Sequence, residues 1–401
     1  MPKAFEGVRV IDFTAVLAGP VAAMELAMLG ADVIKIEQPG IGDQMRTMTR
    51  DEPWISHGFS PAYIGANSGK RGMTLDLKHA RAKEVLTRLV AGADVIIENF
   101  RAGVIDRLGF GYDWARGVRP DIIYCSVSGY GQDGPKAGVA AYDGAMQAAS
   151  GMMSVTGTAD SGPLRTGMMP VDLATAFTAA FAIASALYRR QVSGEGQHLD
   201  VAMYDSALSL MNPVVARQAL AGVVPPRIGN RSPTQQGTGD TWATRDGHIS
   251  IAVIADHMVP ALARALGRPE LAEEARYRTT AGRTQHAAEI SAEVAAILAT
   301  ETTATWIERC QAEGVPAAPV NDVATALAEP QLGYRSVLMR LPAPAGLDGE
   351  ITVPGVGFIA SADSPGTARP APALGQHTDQ ILGELGYNGA EIEALRADRA
   401  V

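Results

Sequence analysis

The sequence is poor in the residues that mark secreted, metal-binding or nucleic-acid-binding proteins. It has only 2 cysteines among 401 residues, and Cys125 and Cys310 lie far apart without metal-ligand spacing. We therefore expect two buried thiols rather than a disulfide or a catalytic pair. Aromatic residues make up 5% of the chain. They do not alternate with basic residues in a stripe, so nothing indicates a nucleic-acid partner.

Positive charge and long apolar runs are also scarce. Lys and Arg total 34 against 43 Asp and Glu, and the net charge of -9 favours a small-molecule partner over nucleic acid or an anionic membrane. The N-terminal residues MPKAFEGV have no apolar core for export. The longest apolar stretch, residues 173–188, falls short of a bilayer span. We expect a cytoplasmic protein that does not enter a membrane.

The N-terminal region has the pattern of a nucleotide-handling half-unit. Residues 8–12 form a short β-branched apolar run, residues 20–29 an apolar helix followed by glycine, and residues 32–36 a second buried strand. Parallel strands are continuous apolar runs when helices cover both faces of a sheet, and ligands bind where such strands end. We therefore expect a ligand at residues 14–19 and 37–43.

A repeated motif supports a parallel sheet. Gly-Ala-Asp-Val-Ile occurs at residues 30–34 and 92–96, each time after a helix and before a glutamate. A helix at residues 81–91, with apolar residues on one face, and a strand at residues 122–127 continue the alternation. This pattern predicts a doubly wound α/β unit over roughly the first 210 residues.

The amino-acid composition of the sequence changes after residue 225. A Gly-, Thr- and Gln-rich segment leads to residues 241–245 and 248–254, two short runs that flank Asp246-Gly247, a strong hairpin signal. We expect a second, smaller domain to begin there. The remaining pattern predicts helices at residues 257–266, 283–299, 304–313, 376–385 and 390–396, and strands at residues 335–341 and 351–359.

Several segments resemble one protein family in order along the chain. They are VRVIDFTAVLAGPVAAMELAMLGADVIKIEQPGIGD (8–43), LDLK (75–78), ADVIIENFRAGVIDRLGFGY (93–112), IIYCSVSGYGQDGP (122–135), AYDGAMQAASGMMSVTG (141–157), SGEGQHLDVAMYDSAL (193–208) and LGQHTDQILGELGY (374–387). They resemble the class III CoA-transferase family, which includes formyl-CoA transferase, carnitine CoA-transferase and, as a divergent branch, α-methylacyl-CoA racemase.

The resemblance implies an α/β fold in which a large Rossmann-like parallel-sheet domain carries a smaller inserted α/β domain. The large CoA-binding domain would comprise residues 1–224 and 331–401, and the small domain residues 225–330. The family also implies an interlocked homodimer. Coenzyme A and acyl-CoA would be substrates, with no prosthetic group and no metal.

Asp172 directly precedes a predicted apolar helix at residues 173–189. Local sequence alone predicts a helix N-cap, and a carboxylate at the positive helix end should stay ionised. The resemblance instead implies the family's nucleophile, which attacks an acyl-CoA thioester, forms a mixed anhydride and releases CoA thiolate. An incoming acid could then acquire CoA without ATP.

Tyr142 separates the branches of the family. The racemase branch has a histidine at this position, and a tyrosine, with a pKa near about 10, cannot readily exchange protons at neutral pH. The resemblance therefore implies CoA transfer, with acyl-CoA racemisation as the alternative and a noncatalytic acyl-CoA binder as a third hypothesis. Taken by itself, Tyr142 could equally be an aromatic residue that anchors a loop.

The family's CoA-binding pattern carries over to several loops. Lys78, Arg101 and Arg107 have the charge to hold phosphates and Phe100 could cover the adenine, although a lone arginine is more often a solvated surface charge. Formyl-CoA transferase has Gln and Arg at two positions that differ here, which disfavours oxalate as the acceptor and formyl-CoA as the donor. Succinyl-CoA or another short-chain acyl-CoA is the candidate donor. The implied contacts are Leu17, Ala18, Gln38, Leu75, Lys78, Asn99, Phe100, Arg101, Arg107, Ala140, Tyr142 and Asp143, of which Leu17 and Gln38 are the departures.

Residues 232–240, SPTQQGTGD, stand where the family has a lid over the thioester. Gly237 and Gly239 would make this segment mobile, so that its closure could shield the anhydride from water. The same residues could form an ordinary interdomain linker. Arg46 and Arg231 are candidates for holding the carboxylate of the acceptor acid.

Residues 129–134, GYGQDG, match the G-x-G-x-x-G pattern of dinucleotide-binding proteins. The motif is not on the first strand, no helix follows it at once, and no acidic strand end appears about 20 residues later. An NAD-dependent oxidoreductase is therefore a minor alternative.

Overall fold

The computed structural model describes residues 2–401 and contains a six-stranded parallel sheet. Its strands are β1 (Arg9–Asp12), β2 (Asp32–Glu37), β3 (Arg71–Thr74), β4 (Val95–Glu98), β5 (Ile123–Ser128) and β6 (Gln197–Ala202). The spatial order β3-β2-β1-β4-β5-β6, with every pair parallel, confirms the predicted doubly wound sheet. The strand order reverses between β1 and β4, and ligands of such sheets bind at the strand ends beside that reversal.

The helices surround this sheet and continue through the rest of the chain. In chain order they are α1 (Ala18–Met28), α2 (Pro61–Asn67), α3 (Ala82–Ala91), α4 (Val104–Arg107), α5 (Tyr112–Val118), α6 (Asp143–Ala149), α7 (Met152–Val155), α8 (Pro170–Ser193), α9 (Met203–Leu210), α10 (Asn212–Ala221), α11 (Val259–Ala265), α12 (Ala275–Arg278), α13 (Thr280–Gln285), α14 (Ala287–Leu298), α15 (Thr303–Ala312), α16 (Val323–Leu327), α17 (Pro330–Arg335), α18 (Thr378–Glu384) and α19 (Gly389–Ala397). Short 3₁₀ turns occupy Gln44–Thr47, Ile55–His57, Asp256–Met258 and Pro269–Glu273.

Apolar residues cover both faces of the sheet. Val10 and Val33 lie on the face against α1 and α8, whereas Ile11 and Ile34 lie on the face against α3. Because successive side chains of a strand point to opposite faces, an uninterrupted apolar strand requires helices on both sides. The predicted apolar face of α3 is fully buried. Both cysteines are free and buried, as predicted.

The contacts divide the chain into two compact units. The first contains the described residues up to Met152, Arg165–Val224 and Gln331–Val401, and the second contains Met153–Leu164 and Pro225–Pro330. Residues 153–164, which the sequence analysis assigns to the large domain, thus belong to the second unit. There the Arg227 side chain donates a hydrogen bond to the Thr158 carbonyl at 3.1 Å.

Residues from the C-terminal part of the chain cover the edge strand β3 in the first unit. The Gly72 N–H donates to His377 Nδ1 at 3.1 Å, and the His377 N–H donates back to the Gly72 carbonyl at 2.8 Å. Arg71 on the same strand forms ion pairs with Asp32 and Glu384. These contacts satisfy backbone groups that an edge strand otherwise exposes. An antiparallel pair, β10 (Leu338–Pro342) and β11 (Glu350–Pro354), also belongs to this unit.

The second unit has its own antiparallel sheet. Strands β7 (Gly239–Ala243), β8 (His248–Ala252) and β9 (Ala317–Pro319) pair in that order. The β7–β8 hairpin turns around Asp246-Gly247, as predicted. The core behind this sheet contains Ile290 and Leu298 from α14 and Trp306 from α15.

Several elements differ from the sequence-based prediction. Strands β3 and β6 are not predicted because RGMT and QHLDVA lack a continuous apolar run. The strand expected at residues 335–341 begins only at Leu338, since α17 occupies the residues before it. Helix α8 begins before Asp172 and ends beyond the predicted residue 189. By length and composition it is the one helix of residues 2–401 that could cross a membrane, although part of it is buried against α1.

Candidate active site

A cavity of about 280 Å³ opens at the carboxyl ends of the sheet beside the reversal of strand order. Its wall contains residues 15–18 after β1, residues 99–102 after β4, and residues 127–131 at the end of β5 and just beyond it. Asp172 on α8 lines the same cavity. Loops that are distant in sequence thus meet at the sheet edge where α/β proteins bind ligands.

Asn99 fixes the loop that follows β1. Its Oδ1 accepts the Ala15 N–H at 2.9 Å, and its Nδ2 donates to the Ala15 carbonyl at 2.8 Å. Both polar atoms of the side chain therefore bind protein backbone. Asn99 lines the cavity, but its hydrogen-bonding groups hold the loop, which differs from the direct CoA contact implied by the resemblance.

Val16 has a left-handed backbone with φ of 72°. This conformation costs a β-branched residue about 1–2 kcal/mol. The Asp43 carboxylate accepts the N–H groups of Val16 at 3.1 Å and Met45 at 2.9 Å. The fully buried Lys35 ammonium donates to Asp43 at 3.0 Å and to the Thr14 carbonyl at 2.7 Å. Strained backbone persists where its surroundings over-determine it, and such sites cluster at functional positions.

The positive charge of Arg46 is neutralised by an ion pair within the protein. Its Nη2 lies 2.7 Å from Glu37 Oε2 and its Nε lies 2.9 Å from Oε1, while further bonds reach the Tyr63 hydroxyl and the Pro372 carbonyl. Burial by itself would lower the pKa of Arg46, but the bonds to Glu37 raise it. The structure therefore corrects the prediction that Arg46 holds an acceptor acid, because Glu37 already neutralises it.

Asp172 is the third residue of α8 rather than its N-cap. Met169 occupies the N-cap position and provides no side-chain cap. The capping carboxylate comes from Asp143 on α6, whose Oδ2 accepts the N–H groups of Val171 at 2.9 Å and Asp172 at 3.2 Å. The prediction of an N-cap at Asp172 is wrong for this reason. Asp143, implied as a CoA contact, is buried and engaged with the helix.

The Asp172 carboxyl holds its proton more tightly than an ordinary aspartic acid. Burial, and in addition the negative charge of Asp143, raise the pKa of Asp172 to about 7. Burial and Asp143 therefore oppose the ionisation that the helix end by itself would favour. A carboxyl with this pKa is a more basic and less solvated oxygen nucleophile once it ionises, and paired acids of this kind are frequent in active sites.

A second cavity of about 210 Å³ lies beside the first. Phe13, Ala15 and Phe100 line both cavities. The structure thus brings most of the implied CoA contacts into two neighbouring spaces. Leu17, Ala18, Asn99, Phe100, Arg101, Ala140 and Tyr142 line the first cavity, and Gln38, Leu75, Lys78 and Phe100 line the second.

Of the three cations implied as phosphate ligands, Lys78, Arg101 and Arg107, Arg107 lines neither cavity. It ends α4, and its Nη1 lies 3.2 Å from where a Cβ at Gly103 would be. Tyr142, at 62% exposure, extends into solvent rather than anchoring a loop. Its hydroxyl is 3.5 Å from the amide nitrogen of Gln44, which also lines the first cavity and which sequence reasoning misses.

The segment expected to act as a lid belongs to the second unit, and its glycines are packing positions. Neither Gly237 nor Gly239 has a positive φ. A Cβ on Gly237 would lie 2.5 Å from the Ala287 carbonyl oxygen, and the Gly237 N–H donates to the Arg283 carbonyl at 3.2 Å. Gly237 therefore permits close approach of backbone rather than conferring mobility, whereas the neighbours of Gly239 are the side chains of Ser232 and Ile254.

Arg231, the other candidate for the acceptor carboxylate, also lies in the second unit. Its Nε is 3.9 Å from Asp240 Oδ2, and 39% of its side chain is exposed. An ion pair this long and this exposed neutralises a guanidinium only weakly. Arg231 therefore keeps most of its capacity to bind an anion.

Gln147 is a second residue that sequence reasoning misses. It is fully buried, its Nε2 donates to Asp143 Oδ1, and its Oε1 accepts the Thr166 N–H at 3.0 Å. The available signal is its position four residues after Asp143 on one helix, the spacing at which side chains meet.

The G-x-G-x-x-G match does not open a helix. Gly131 donates its N–H to Ser128 Oγ at 2.9 Å, and α6, which begins at Asp143, is the first helix after the motif within the described chain. A dinucleotide site needs a helix N-terminus directly behind the glycines to bind the pyrophosphate. The loop therefore lines the cavity without forming that site.

The chain is similar to proteins of known family and fold. The model of CoA-transferase family III matches residues 5–378. Succinyl-CoA:glutarate CoA-transferase from Mus musculus is 34% identical over 98% of this chain and 89% of its own length. Succinate–glutarate CoA-transferase from Agrobacterium fabrum is 37% identical over 94% and 95%. A crystal structure of a CAIB/BAIF family protein from Brucella suis superposes with a TM-score of 0.85, at 32% identity over 96% of this chain and 100% of that one.

Proposed function

Because the chain belongs to CoA-transferase family III, we propose that it moves CoA from a short-chain acyl-CoA to a carboxylic acid through covalent intermediates on Asp172. That it is an enzyme of the acyl-CoA:carboxylate CoA-transferase class follows from the family and its relatives. The observation that carries the covalent mechanism is the position of Asp172, a partly buried carboxyl with a pKa of about 7, in the wall of the larger cavity.

The proposed reaction has four steps that return Asp172 to its starting state. Asp172 attacks the donor thioester, and a mixed anhydride forms as CoA thiolate leaves. The thiolate attacks the aspartyl carbonyl, which yields aspartyl-CoA and the free donor acid. The acceptor carboxylate attacks aspartyl-CoA and forms a second anhydride with release of thiolate. The thiolate then attacks the acceptor carbonyl, so that the new acyl-CoA leaves and the Asp172 carboxylate is restored.

The electrostatics of the site support this role for Asp172. Thiols have a pKa near about 8.5, so the CoA thiolate is a good leaving group for a carboxylate nucleophile. Burial and the neighbouring charge of Asp143 make Asp172 more basic than an exposed carboxylate. The N–H groups of the first turn of α8 are occupied by Asp143. The Asp172 oxygens are therefore left for the substrate.

The two cavities suit the two ends of an acyl-CoA. We propose that the thioester lies near Asp172 in the first cavity and the nucleotide in the second, where Lys78 supplies positive charge. Phe100 lines both spaces and can stack on the adenine or pack along the pantetheine. Arg107 lies outside both linings and is a less suitable phosphate ligand than the resemblance implies.

For the substrates we propose small dicarboxylic acids, with succinyl-CoA as donor. The support is the pair of relatives whose names carry succinate or succinyl-CoA together with glutarate. Arg231 is the proposed partner for an acceptor carboxylate, since Arg46 is neutralised by Glu37. Residues 232–240 are the proposed lid.

We further propose an interlocked homodimer in the cytoplasm, with the second unit as an inserted domain. Helix α8 supports a protein partner because it exposes a large apolar surface beside its buried one. The exposed residues are Phe177, Phe181, Tyr188 and Val192. Apolar patches of this kind on a protein surface commonly mark interfaces.

Trapping with hydroxylamine tests the covalent mechanism. The protein is incubated with a pool of acyl-CoAs, quenched with hydroxylamine and digested for mass spectrometry. An acyl-CoA-dependent hydroxamate on Asp172 is expected, and the acyl-CoA that produces it identifies the donor. Asp205→Asn, at an exposed carboxylate on α9, should label normally, whereas Asp172→Asn should not label. A label on another carboxylate would refute Asp172 as the nucleophile, and α-proton exchange in deuterated water without any label would favour the racemase chemistry instead.

A further inference from the structure

Gln147 is a buried amide beside the Asp172 site. Its exposure is 0%, and it follows Asp143 by one turn of α6. A buried amide without partners would destabilise the fold, so its hydrogen bonds indicate what it does. These bonds join two segments that meet at the beginning of α8.

The neighbours of Gln147 fix the orientation of its amide. The Thr166 N–H can only donate, and it lies 3.0 Å from Gln147 Oε1. The NH₂ group must therefore face the other way, toward Asp143 Oδ1, to which it donates. The remaining Asp143 oxygen accepts the N–H groups of Val171 and Asp172. A continuous set of hydrogen bonds thus joins Thr166 to the backbone of Asp172.

We propose that Gln147 is a positioning residue for Asp172. Its amide holds the Asp143 carboxylate in the rotamer that binds the first turn of α8, and thereby sets where the Asp172 carboxyl lies in the cavity. The inference rests on the proposed role of Asp172 as nucleophile. Gln147 does not line either cavity, so it acts through Asp143 rather than by touching substrate.

The donor of Gln147 also stabilises negative charge at Asp143. Other ionisable groups lie on the surrounding elements: Tyr142 before Asp143, Arg165 beside Gly144, and Asp205 on α9, which packs against α6. The side-chain donor to Asp143 among the described hydrogen bonds is Gln147. A change in the charge at position 147 should therefore be felt at Asp172 through Asp143.

Two substitutions separate the functions of the amide. Gln147→Glu keeps an oxygen for the Thr166 N–H but puts a negative charge against Asp143. Gln147→Met keeps the side-chain length and removes both hydrogen bonds. Met146→Leu, a volume-conserving change at a buried neighbour on the same helix, is the matched control.

The experiment measures the single-turnover rate of acyl transfer to Asp172 against pH, together with acyl-CoA affinity. We expect Gln147→Met to slow acyl transfer at least about tenfold with little change in affinity, because a nucleophile displaced by a fraction of an ångström attacks poorly. Gln147→Glu should move the acidic limb of the rate profile up by about one pH unit. Met146→Leu should leave both quantities near their wild-type values.

The outcomes distinguish this inference from the proposed function. If the wild-type protein is labelled at Asp172 and Gln147→Glu has an unshifted acidic limb, the positioning role is refuted, even where the rate falls. If the wild-type protein is never labelled at Asp172, the covalent mechanism fails first. If Gln147→Met does not fold, the pH profile of Gln147→Glu still tests the positioning role of Gln147.

Discussion

The side chain of Asn99 and the backbone of Ala15 exchange two hydrogen bonds, although the residues are 84 positions apart in the chain. This pairing joins the loop after β4 to the loop after β1 at the place where the strand order reverses. The walls of the larger cavity are thus tied together by one amide. The cavity should therefore depend on Asn99 even if CoA never touches its polar atoms.

Asn99→Asp should weaken both the fold and acyl-CoA binding. It replaces the donor to the Ala15 carbonyl with an oxygen, so a partly buried acceptor faces a negative charge, and we expect a loss of about 1–3 kcal/mol in the free energy of unfolding. Chemical denaturation and acyl-CoA titration would measure the two effects. Asn388→Ala, which removes the N-cap of α19, should cost about 1 kcal/mol and leave affinity unchanged. Normal affinity in a destabilised Asn99→Asp variant would contradict the loop-holding role.

The rate of acyl transfer should depend on pH through Asp172. With a pKa raised to about 7, the carboxylate form is the majority only above that pH. The single-turnover rate should therefore fall about tenfold per pH unit well below it, and level off above it. A stopped-flow pH series would measure the profile. A rate that stays flat down to pH 5 would mean that Asp172 is ionised throughout.

The same pKa predicts how Asp172 affects stability. The folded protein holds this proton up to pH about 7, whereas an unfolded aspartic acid loses it near pH 4. The contribution of Asp172 to the free energy of unfolding is thus most favourable below pH 4, declines between pH 4 and 7, and is unfavourable above. Asp172→Asn should therefore stabilise the protein at pH 8 by roughly 1–4 kcal/mol and by much less at pH 4. Thermal unfolding at the two pH values would test this difference.

Lys35 and Asp43 should behave as a buried ion pair. Lys35→Met leaves the Asp43 carboxylate buried without its cation, and we expect a loss of about 3–5 kcal/mol in the free energy of unfolding. The double variant Lys35→Met/Asp43→Asn should recover part of that loss, because position 43 no longer carries a buried charge without its cation. The exposed pair Arg189–Glu195 is the comparison, and Arg189→Ala should change stability by less than about 1 kcal/mol. A similar small loss for Lys35→Met would argue against the pair as the support of the strained Val16 backbone.

Gly237 and Gly239 should differ sharply in their tolerance of alanine. A Cβ at Gly237 would meet the Ala287 carbonyl oxygen at 2.5 Å, whereas at Gly239 its nearest neighbour is the Ser232 Cβ at 3.1 Å. We expect Gly237→Ala to destabilise the protein by about 1–3 kcal/mol and Gly239→Ala by clearly less. Denaturant titration of the two variants measures the difference. Equal, small effects would restore the view of both glycines as flexible lid positions.

The parts of the fold that could be predicted are those in which a local pattern decides the structure. Strands β1, β2, β4 and β5 are apolar runs, and the apolar face of α3 follows from helical periodicity. Strand β6 mixes polar and apolar residues, and β3, with the sequence RGMT, lacks an apolar run. Both become strands because a neighbour pairs with them. The neighbouring strands lie elsewhere in the chain, so the local sequence of β3 or β6 does not reveal the pairing.

In the candidate site, the positions of the residues could be predicted from the sequence, but their contacts could not. Asp172 and most of the residues that the resemblance implies as CoA contacts line the two cavities, because motifs mark positions in the fold. The resemblance cannot tell which groups are already engaged. Arg46 is neutralised by Glu37, and Asn99 is used by Ala15, through contacts that only the folded chain creates. The pKa of Asp172 likewise depends on burial and on a carboxylate 29 residues away.

The covering of strand β3 by residues around His377 bears on how the chain folds during synthesis. The edge of the sheet made by residues 71–74 is completed only by residues that leave the ribosome after the whole of residues 225–330. Until then β3 has an unpaired edge, and an unpaired strand edge can pair with strands of other chains. Residues 225–330 have a core of their own and can fold during that interval. We expect chains truncated before residue 366 to need protection from a chaperone, and released chains that include residues 366–401 to be compact.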